Sequence, residues 1–300
     1  MRKLKLITLI MVLALLVSCT QNVENNSTNT SNANTEKHLA ENYPRIDGST
    51  ANMPMMAEIR SEFLGEDLTT AENNTKVTTT DYAWRNLIDG NADLLLVYEP
   101  SAETKKIIDD SNVKLKITPI GRDALVFIVN DKNPVKNLTT ENLKDIYSGK
   151  ITNWKGLGGE DVKIEAYQRE FNSGSQTLFL KLLMKDTEPM NPPEKYKIFG
   201  MEGLIKEIAS YNDSGNAIGF SVYYYAKKMY AVPGLRLINV DGIEPNDETI
   251  ASGTYPYLNE YYLVIREDTP EDSETMKLYN FITSKAGTQA IKKAGYIPVN

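Results

Sequence analysis

Residues 121–147 read GRDALVFIVNDKNPVKNLTTENLKDIY, and this stretch decides the fold. The apolar run from Ala124 to Val129 predicts a buried strand, and Asn130 to Pro134 predict the turn that ends it. Residues 139–142 then resemble a capping box that opens an amphipathic helix through Tyr147. A buried strand followed by an amphipathic helix is typical of α/β architecture, in which helices cover the strands.

The same alternation continues on both sides of this stretch. Further strands are predicted at residues 92–98, 162–167, 217–221, 236–240 and 261–265, and further helices at residues 55–63, 82–89, 102–110, 176–184, 202–210 and 274–284. No Gly/Ser linker divides the chain after residue 38. The remaining length, about 260 residues, exceeds the size at which a single core usually keeps growing. We therefore expect two α/β lobes that strands join.

The N-terminal residues predict an exported, lipid-anchored chain. Three cations precede the apolar run Leu6 to Val17. At about twelve residues this run is too short to span a bilayer comfortably, so we predict a cleaved signal peptide over residues 1–18. Cys19 follows a small residue, as in the lipobox of bacterial lipoproteins, and by this resemblance it would carry palmitate and become the mature N-terminus; the alternative is an ordinary signal peptide with an incidental cysteine. Residues 19–38, rich in Asn, Ser and Thr, predict a flexible tether.

Charge and rare residues exclude several classes of function. The chain carries 33 Lys and Arg against 40 Asp and Glu, a net charge of −7, which disfavours a nucleic-acid partner. The one cysteine, Cys19, and the one histidine, His38, both precede the predicted folded part. Zinc sites, disulfides and Ser-His-Asp triads need thiol or imidazole groups, so we expect no metal, no cofactor and no such enzyme. A phosphatase is also disfavoured, because no acidic cluster with metal-ligand spacing stands out.

The most informative segment for function is residues 167–177, which read YQREFNSGSQT. It follows a predicted strand and leads directly into a predicted helix, whose first turn presents unpaired N–H groups and the positive end of the helix dipole. Gly174 allows close approach to the backbone, Ser173 and Ser175 add hydroxyl donors, and Arg169 offers a planar guanidinium that suits an oxyanion. The alternative is that Ser173 only caps the helix while Arg169 forms a surface salt bridge.

Two further segments place small hydroxyl residues before a predicted helix. Residues 47–54 read DGSTANMP, and residues 78–81 read TTTD. Helix openings that face each other would hold an anion with neutral N–H and hydroxyl donors, although each opening is by itself also explained as a simple helix cap. The candidate ligand-binding residues in these segments are Ser49, Thr50, Ala51, Thr79 and Thr80.

Glu99 lies at the end of the predicted strand 92–98, where ligands of α/β proteins usually bind. Its carboxylate can accept a hydrogen bond from a protonated oxyanion such as hydrogen phosphate, but it would repel a fully deprotonated one such as sulfate. The alternative is a solvated acid at a strand end.

Several stretches together resemble the phosphate-binding lipoproteins of ABC importers: Gly48-Ser49-Thr50, residues 121–159, 167–177 and 216–226, and the ending GYIPV at 295–299. The resemblance covers the chain from about residue 45 to the C-terminus. It implies a type II periplasmic-binding-protein fold, an α/β fold with a ligand cleft between two lobes that two hinge strands join. The predicted boundaries place lobe I at residues 39–121 plus 263–300 and lobe II at residues 122–262, with the crossings near residues 121–126 and 262–265.

The resemblance also implies the ligand contacts and the function. Ligand-binding positions of the family fall on Ser49, Thr50, Ala51, Thr80 with its neighbour Thr79, Arg169, Ser173, Gly174 and Ser175, and the position nearest the family's proton-accepting aspartate is Glu99. The implied protein is a monomeric, lipid-anchored, extracytoplasmic receptor that captures an inorganic oxyanion, above all phosphate, for an ABC permease and catalyses no reaction. The alternative is a surface adhesin or sensor partner with a degenerate cleft.

Overall fold

The computed structural model describes residues 40–192, 197–198, 200–210 and 214–299. The predicted signal peptide, the tether and Cys19 lie outside the described residues. The chain divides into two units, residues 1–41 and 42–300, and the elements described below belong to the second unit. In the described part of the chain, no helix combines the length and the apolar character needed to cross a membrane.

Short strands alternate with helices along the whole unit, as predicted. The strands are β1 (Ile46–Gly48), β2 (Leu94–Val97), β3 (Leu115–Asn130), β4 (Asn137–Leu138), β5 (Glu165–Ala166), β6 (Gln168–Arg169), β7 (Lys197–Ile198), β8 (Ala217–Val222), β9 (Leu235–Leu237), β10 (Asn239–Val240), β11 (Leu258–Arg266) and β12 (Ile297–Pro298). The α-helices are α1 (Met53–Leu64), α2 (Leu68–Asn74), α3 (Thr80–Ile88), α4 (Ala102–Asp110), α5 (Thr140–Tyr147), α6 (Gly174–Leu178), α7 (Met201–Ala209), α8 (Asp247–Ala251), α9 (Glu274–Ile282) and α10 (Lys285–Lys293). Single-turn 3-10 helices cover Thr50–Asn52, Trp154–Leu157 and Ser214–Asn216, and π-helical turns cover Phe179–Met184 and Tyr225–Met229.

The main sheet has the strand order β1-β2-β11-β3-β8-β5, with β9 and β12 also paired to β3. β3 is 16 residues long and serves two sets of neighbours. Its first part, to Ala124, pairs antiparallel with β11, and its second part, from Leu125, pairs antiparallel with β8. β3 is thus a strand common to two groups of elements. The predicted crossings at residues 121–126 and 262–265 fall within β3 and β11; the lobe boundaries themselves stay a prediction.

Helices cover the sheet because its central strands are apolar on both faces. Every residue of β2 and of β8 is buried. Alternate residues of β2 pack on opposite sides: Leu95 and Val97 contact the cluster around Trp84 of α3, whereas Leu94 and Leu96 join the main core. This alternation follows from the strand geometry, in which successive side chains point to opposite faces.

Three predicted elements differ from the observed ones by more than their end residues. The strand predicted at residues 236–240 is divided into β9, which pairs with β3, and β10, which pairs with β4. The strand predicted at residues 162–167 is reduced to β5. The N–H of Val162 donates to Glu160 in a local turn, and the N–H of Ile164 donates to Thr152 beside an isolated bridge between Asn153 and Lys163, so neither group joins the main sheet. The helix predicted at residues 176–184 begins earlier, at Gly174, and widens to a π-helical turn after Leu178. The earlier start matters for the site, because it brings Ser173 to the N-cap position.

Candidate functional site

Two of the three predicted helix openings are in direct contact. Ser49 follows β1 and is buried, and its Oγ lies 2.8 Å from Oγ1 of Thr80, the first residue of α3. The main-chain N–H of Tyr98, after β2, donates to the same Ser49 Oγ over 3.1 Å. The ends of β1 and β2 and the start of α3 therefore meet at the Ser49 hydroxyl.

The buried carboxylate of Asp47 explains why this meeting is stable. It accepts hydrogen bonds from the main-chain N–H of Gly48, from the N–H and the hydroxyl of Thr78, and from Nδ2 of Asn86. Thr78 precedes α3 and Asn86 lies within it, so one side chain of β1 ties the helix opening to the strand. Hydrogen bonds to a charged acceptor are stronger than neutral ones, which suits this role.

The third helix opening reaches the same place through Gly174. A Cβ atom added to Gly174 would lie 2.6 Å from Oγ1 of Thr80, closer than real Cβ contacts allow. The first residue of α6 therefore abuts the first residue of α3, and only glycine fits there. The structure thus brings together Ser49, Thr80 and Gly174, which belong to three separate segments of the sequence.

Arg169 and the serines occupy one closed loop beside this contact. Ser173 is the N-cap of α6, and its Oγ accepts from the N–H of Gln176 over 3.3 Å. The main-chain N–H of Arg169 donates to Oε1 of Gln176 over 2.9 Å. Ser175 is only 2% exposed, and its hydroxyl has no hydrogen-bond partner within the described part of the chain. A buried hydroxyl without a partner is costly, so its position beside Gly174 favours a ligand acceptor there.

Burial affects both the pKa and the screening of the Arg169 guanidinium in this loop. Desolvation lowers the pKa of Arg169 to about 10, and the acidic groups of Tyr225 and Glu170 partly oppose that shift. The guanidinium remains charged at neutral pH, but its charge sits where water screens it weakly. Such a cation attracts an anion more strongly than an exposed arginine does. Arg169 is thus suited to oxyanion binding.

The structure pairs the Glu99 carboxylate with Lys181 and Tyr262. Both oxygens of its carboxylate accept hydrogen bonds from Nζ of Lys181, which lies in the turn after α6, and Oε1 also accepts from the Tyr262 hydroxyl over 3.3 Å. Glu99 lines a cavity of about 420 Å³ together with Lys181, Tyr262 and Glu260. Tyr98, the residue before Glu99, contacts Ser49 through its main-chain N–H. The ion pair of Glu99 compensates its charge without a ligand.

The other predicted residues vary in their placement. Thr50 begins the 3-10 turn after Ser49 and is half-buried, and Ala51 is buried with its carbonyl accepting from the Tyr296 hydroxyl over 2.6 Å. Thr79 is the N-cap of α3, but its side chain is exposed and makes no cap hydrogen bond. The helix opening at Thr80 therefore leaves its first N–H groups uncapped by a side chain.

Sequence reasoning missed a buried pair below Ser49. The Tyr98 hydroxyl donates to the carboxylate of Asp123 over 2.7 Å, and the main-chain N–H groups of Ala124 and Tyr224 donate to the other carboxylate oxygen. Burial raises the pKa of Asp123 to about 6, while these hydrogen bonds lower it. The signal was present in the sequence, because Asp123 is an acid at the edge of the apolar run 124–129.

The chemistry of the site is that of anion binding. The hydroxyl and helix N–H groups at Ser49, Thr80 and Gly174 meet, Arg169 belongs to the adjoining loop, and the Glu99 carboxylate is paired with Lys181. Among the described residues, no group of three or more His, Cys, Asp or Glu side chains is arranged to hold a metal ion. The arrangement can hold a small oxyanion by hydrogen bonds and charge.

Fold and site together define a two-lobed binding protein, and the sequence comparison gives its family. Residues 28–286 match the family described as PBP superfamily domain, so the chain belongs to that family. The predicted two-lobed α/β fold of periplasmic binding proteins is thereby confirmed.

Individual relatives point to one kind of binding protein. The chain is 27% identical to the phosphate-binding protein PstS of Borreliella burgdorferi over 259 residues, 85% of this chain and 89% of that protein. It is 25% identical to the phosphate-binding protein PstS of Bacillus subtilis over 263 residues, 85% of this chain and 81% of that protein. The predicted resemblance to phosphate-binding proteins of ABC importers is confirmed.

Solved structures agree with these relatives. A phosphate ABC transporter protein of Clostridium perfringens, solved with bound phosphate, superposes with a TM-score of 0.66 at 25% identity, covering 85% of this chain and 98% of that one. An ABC-type phosphate transport receptor of Vibrio cholerae gives a TM-score of 0.62 at 25% identity, covering 84% of this chain and 98% of that one.

Proposed function

We propose that this chain is an extracytoplasmic receptor that captures inorganic phosphate in the cleft between its lobes and delivers it to an ABC permease. The observation that carries the proposal is the convergence of Ser49, Thr80 and Gly174 beside the loop of Arg169. The relatives that bind phosphate support the choice of ligand. Binding is noncovalent, and the chain catalyses no reaction.

Within this proposal the ligand oxygens accept hydrogen bonds from three sources. Of the Ser49 and Thr80 hydroxyls, which are hydrogen-bonded to each other, one donates to the ligand and the other donates to its partner. The hydroxyls of Ser173 and Ser175 donate as well. The main-chain N–H groups of Thr50, Ala51, Gly174 and Ser175 also donate, and the Arg169 guanidinium donates a charge-assisted pair. Thr79 and Glu99 are left out, because the first is exposed on the outer side of the helix opening and the second is bound to Lys181.

The test is isothermal titration of the protein lacking residues 1–19 with phosphate, arsenate and sulfate. We expect heat with phosphate and with arsenate, which shares its geometry and charge. Absence of heat with all three anions would overturn the proposal and favour a protein with a degenerate cleft. Arg169→Ala should weaken phosphate binding by about 1.5 to 3 kcal/mol, the range for a hydrogen bond to a charged group.

The matched control for this variant is Arg45→Ala. It removes the same charge, but Arg45 is exposed and paired with Asp93 at the start of β2. Its phosphate affinity should stay within about twofold of the parent, since screened surface charges contribute little. Equal losses in both variants would show that only the net charge matters and would move the site away from Arg169.

We further propose that Cys19 carries the lipid anchor that holds the receptor at the outer side of the cytoplasmic membrane. Labelling cells that express the full chain with radioactive palmitate should mark the protein, and Cys19→Ser should abolish the label and release the protein to the medium. A labelled Cys19→Ser protein would contradict the proposed anchor site.

A further inference from the structure

The side chain of Gln176 uses both halves of its amide inside the binding loop. It is 4% exposed, and its Oε1 accepts from the main-chain N–H of Arg169 over 2.9 Å. Its Nε2 donates to Oε1 of Gln168 over 3.1 Å, and Nε2 of Gln168 donates in turn to the carbonyl of Met190 over 2.8 Å. A chain of directed hydrogen bonds therefore runs from Arg169 through two buried amides to the backbone at Met190.

The main chain of Gln176 is tied to the other end of the same loop. Its N–H donates to the Ser173 Oγ, which makes Ser173 the cap of α6. One residue thus holds Arg169 with its side chain and Ser173 with its backbone. The separation between the arginine and the helix N-terminus is therefore set by the length of one glutamine side chain.

The strand that contains Arg169 is short. β6 pairs with β7 over only two residues, Gln168 with Lys197 and Arg169 with Ile198. A strand of two residues offers little rigidity by itself. The buried amide of Gln176 adds a contact between the main chain of Arg169 and the helix that begins at Gly174.

We infer that Gln176 is a positioning residue for the oxyanion: it holds the main chain of Arg169, from which the guanidinium side chain extends, against the donors of Ser173 to Ser175, without touching the ligand through its amide. This inference rests on the proposed function, because it acts through Arg169. A site that depends on simultaneous contacts loses affinity when one contact is free to shift. The oxyanion is bound well only where the arginine and the helix donors reach it together.

The test is a double-mutant cycle on phosphate affinity in the protein lacking residues 1–19. Gln176→Met keeps the side-chain volume and removes both amide hydrogen bonds, and we expect it to weaken phosphate binding about five- to tenfold. In the Arg169→Ala background the same substitution should change the affinity less than about twofold, because the group that it positions is gone. A purely structural role would give equal losses in both backgrounds, and that result would overturn the inference.

Controls separate this inference from its premise. Gln289→Met makes the same chemical change at an exposed residue of α10 and should leave phosphate affinity unchanged. If the parent protein binds no phosphate, the proposed function fails. If the parent binds phosphate, and Arg169→Ala weakens this binding while Gln176→Met does not, only the positioning role fails. If Gln176→Met does not fold, Gln176→Asn is used in the same cycle, since it keeps the amide but is too short to reach the Arg169 N–H.

Discussion

The Tyr98 hydroxyl donates a 2.7 Å hydrogen bond to the Asp123 carboxylate and so joins the end of β2 to the middle of β3. The same carboxylate accepts the main-chain N–H of Tyr224, which follows β8. Because Tyr98 also donates its own N–H to Ser49, the buried acid is two hydrogen bonds away from the anion site. Asp123 is thus a common anchor for elements on both sides of the crossing strand.

This anchor should make stability depend on pH. Burial raises the pKa of Asp123 from 3.8 to about 6 in the folded protein. The folded state therefore binds the proton more tightly than the unfolded state does, so the contribution of Asp123 to stability is full below about pH 4 and is lost as pH rises through 6. The total change is on the order of 3 kcal/mol.

Urea unfolding of the parent and of Asp123→Asn between pH 4 and pH 8 tests this expectation. Asparagine has no titrating proton, and its amide can donate to Tyr98 in place of accepting from it. The unfolding free energy of the parent should fall relative to that of Asp123→Asn between pH 4 and pH 6. Above pH 6 the difference between the two proteins should stay constant. A difference that is constant over this range would contradict a raised pKa.

Gly174→Ala should abolish most of the phosphate affinity with little loss of stability. The new Cβ would meet Thr80 Oγ1 at 2.6 Å, so the two helix openings must move apart. We expect a loss of at least about 1.4 kcal/mol, or tenfold, in titration calorimetry. Gly156→Ala is the control, because a Cβ there meets no atom within 4 Å. Unchanged affinity in Gly174→Ala would show that the ligand does not depend on this contact.

Glu99→Gln should leave the preference for phosphate over sulfate unchanged. Its carboxylate accepts hydrogen bonds from Lys181 and Tyr262, and we therefore expect it to accept none from the ligand. The ratio of the two affinities, measured by calorimetry, should stay within about twofold, since a partly exposed ion pair contributes little. A large gain in sulfate affinity would restore Glu99 as the acceptor that discriminates between the anions.

Asp47→Asn should both destabilise the protein and weaken phosphate binding. Asparagine would present an NH₂ group to donors that now point at a carboxylate, so at least one of them loses its partner. We expect about 2 to 3 kcal/mol less stability in urea unfolding, the cost of unpaired buried donors. Asp67→Asn, at the exposed N-cap of α2, should cost less than about 1 kcal/mol. Equal costs at both positions would contradict the role given to Asp47.

Much of this molecule could be predicted from local sequence signals, and the failures have physical causes. The α/β alternation and the openings at Ser49, Thr80 and Ser173 follow from short-range rules of strands, turns and caps. The sequence marks Glu99 as an acid at a strand end, but its ion pair with Lys181 joins residues 82 positions apart and is not a local signal. Gln176 escaped attention because its role depends on a strand, a loop and a helix that meet only in three dimensions.

The continuity of β3 decides how the two halves of the molecule can move. No flexible connection interrupts its 16 residues, so any rotation between the groups that it joins must be taken up as twist in the strand itself. The register shift at Tyr261 and Tyr262 lies opposite Gly121, whose missing side chain leaves room for the Tyr261 ring. Because a bulge increases the local twist and disrupts the ladder, we expect the β3–β11 pair to bend most easily at this register shift. We therefore expect the cleft to open by elastic bending of β3, with a restoring force that grows with the angle between the two groups of elements.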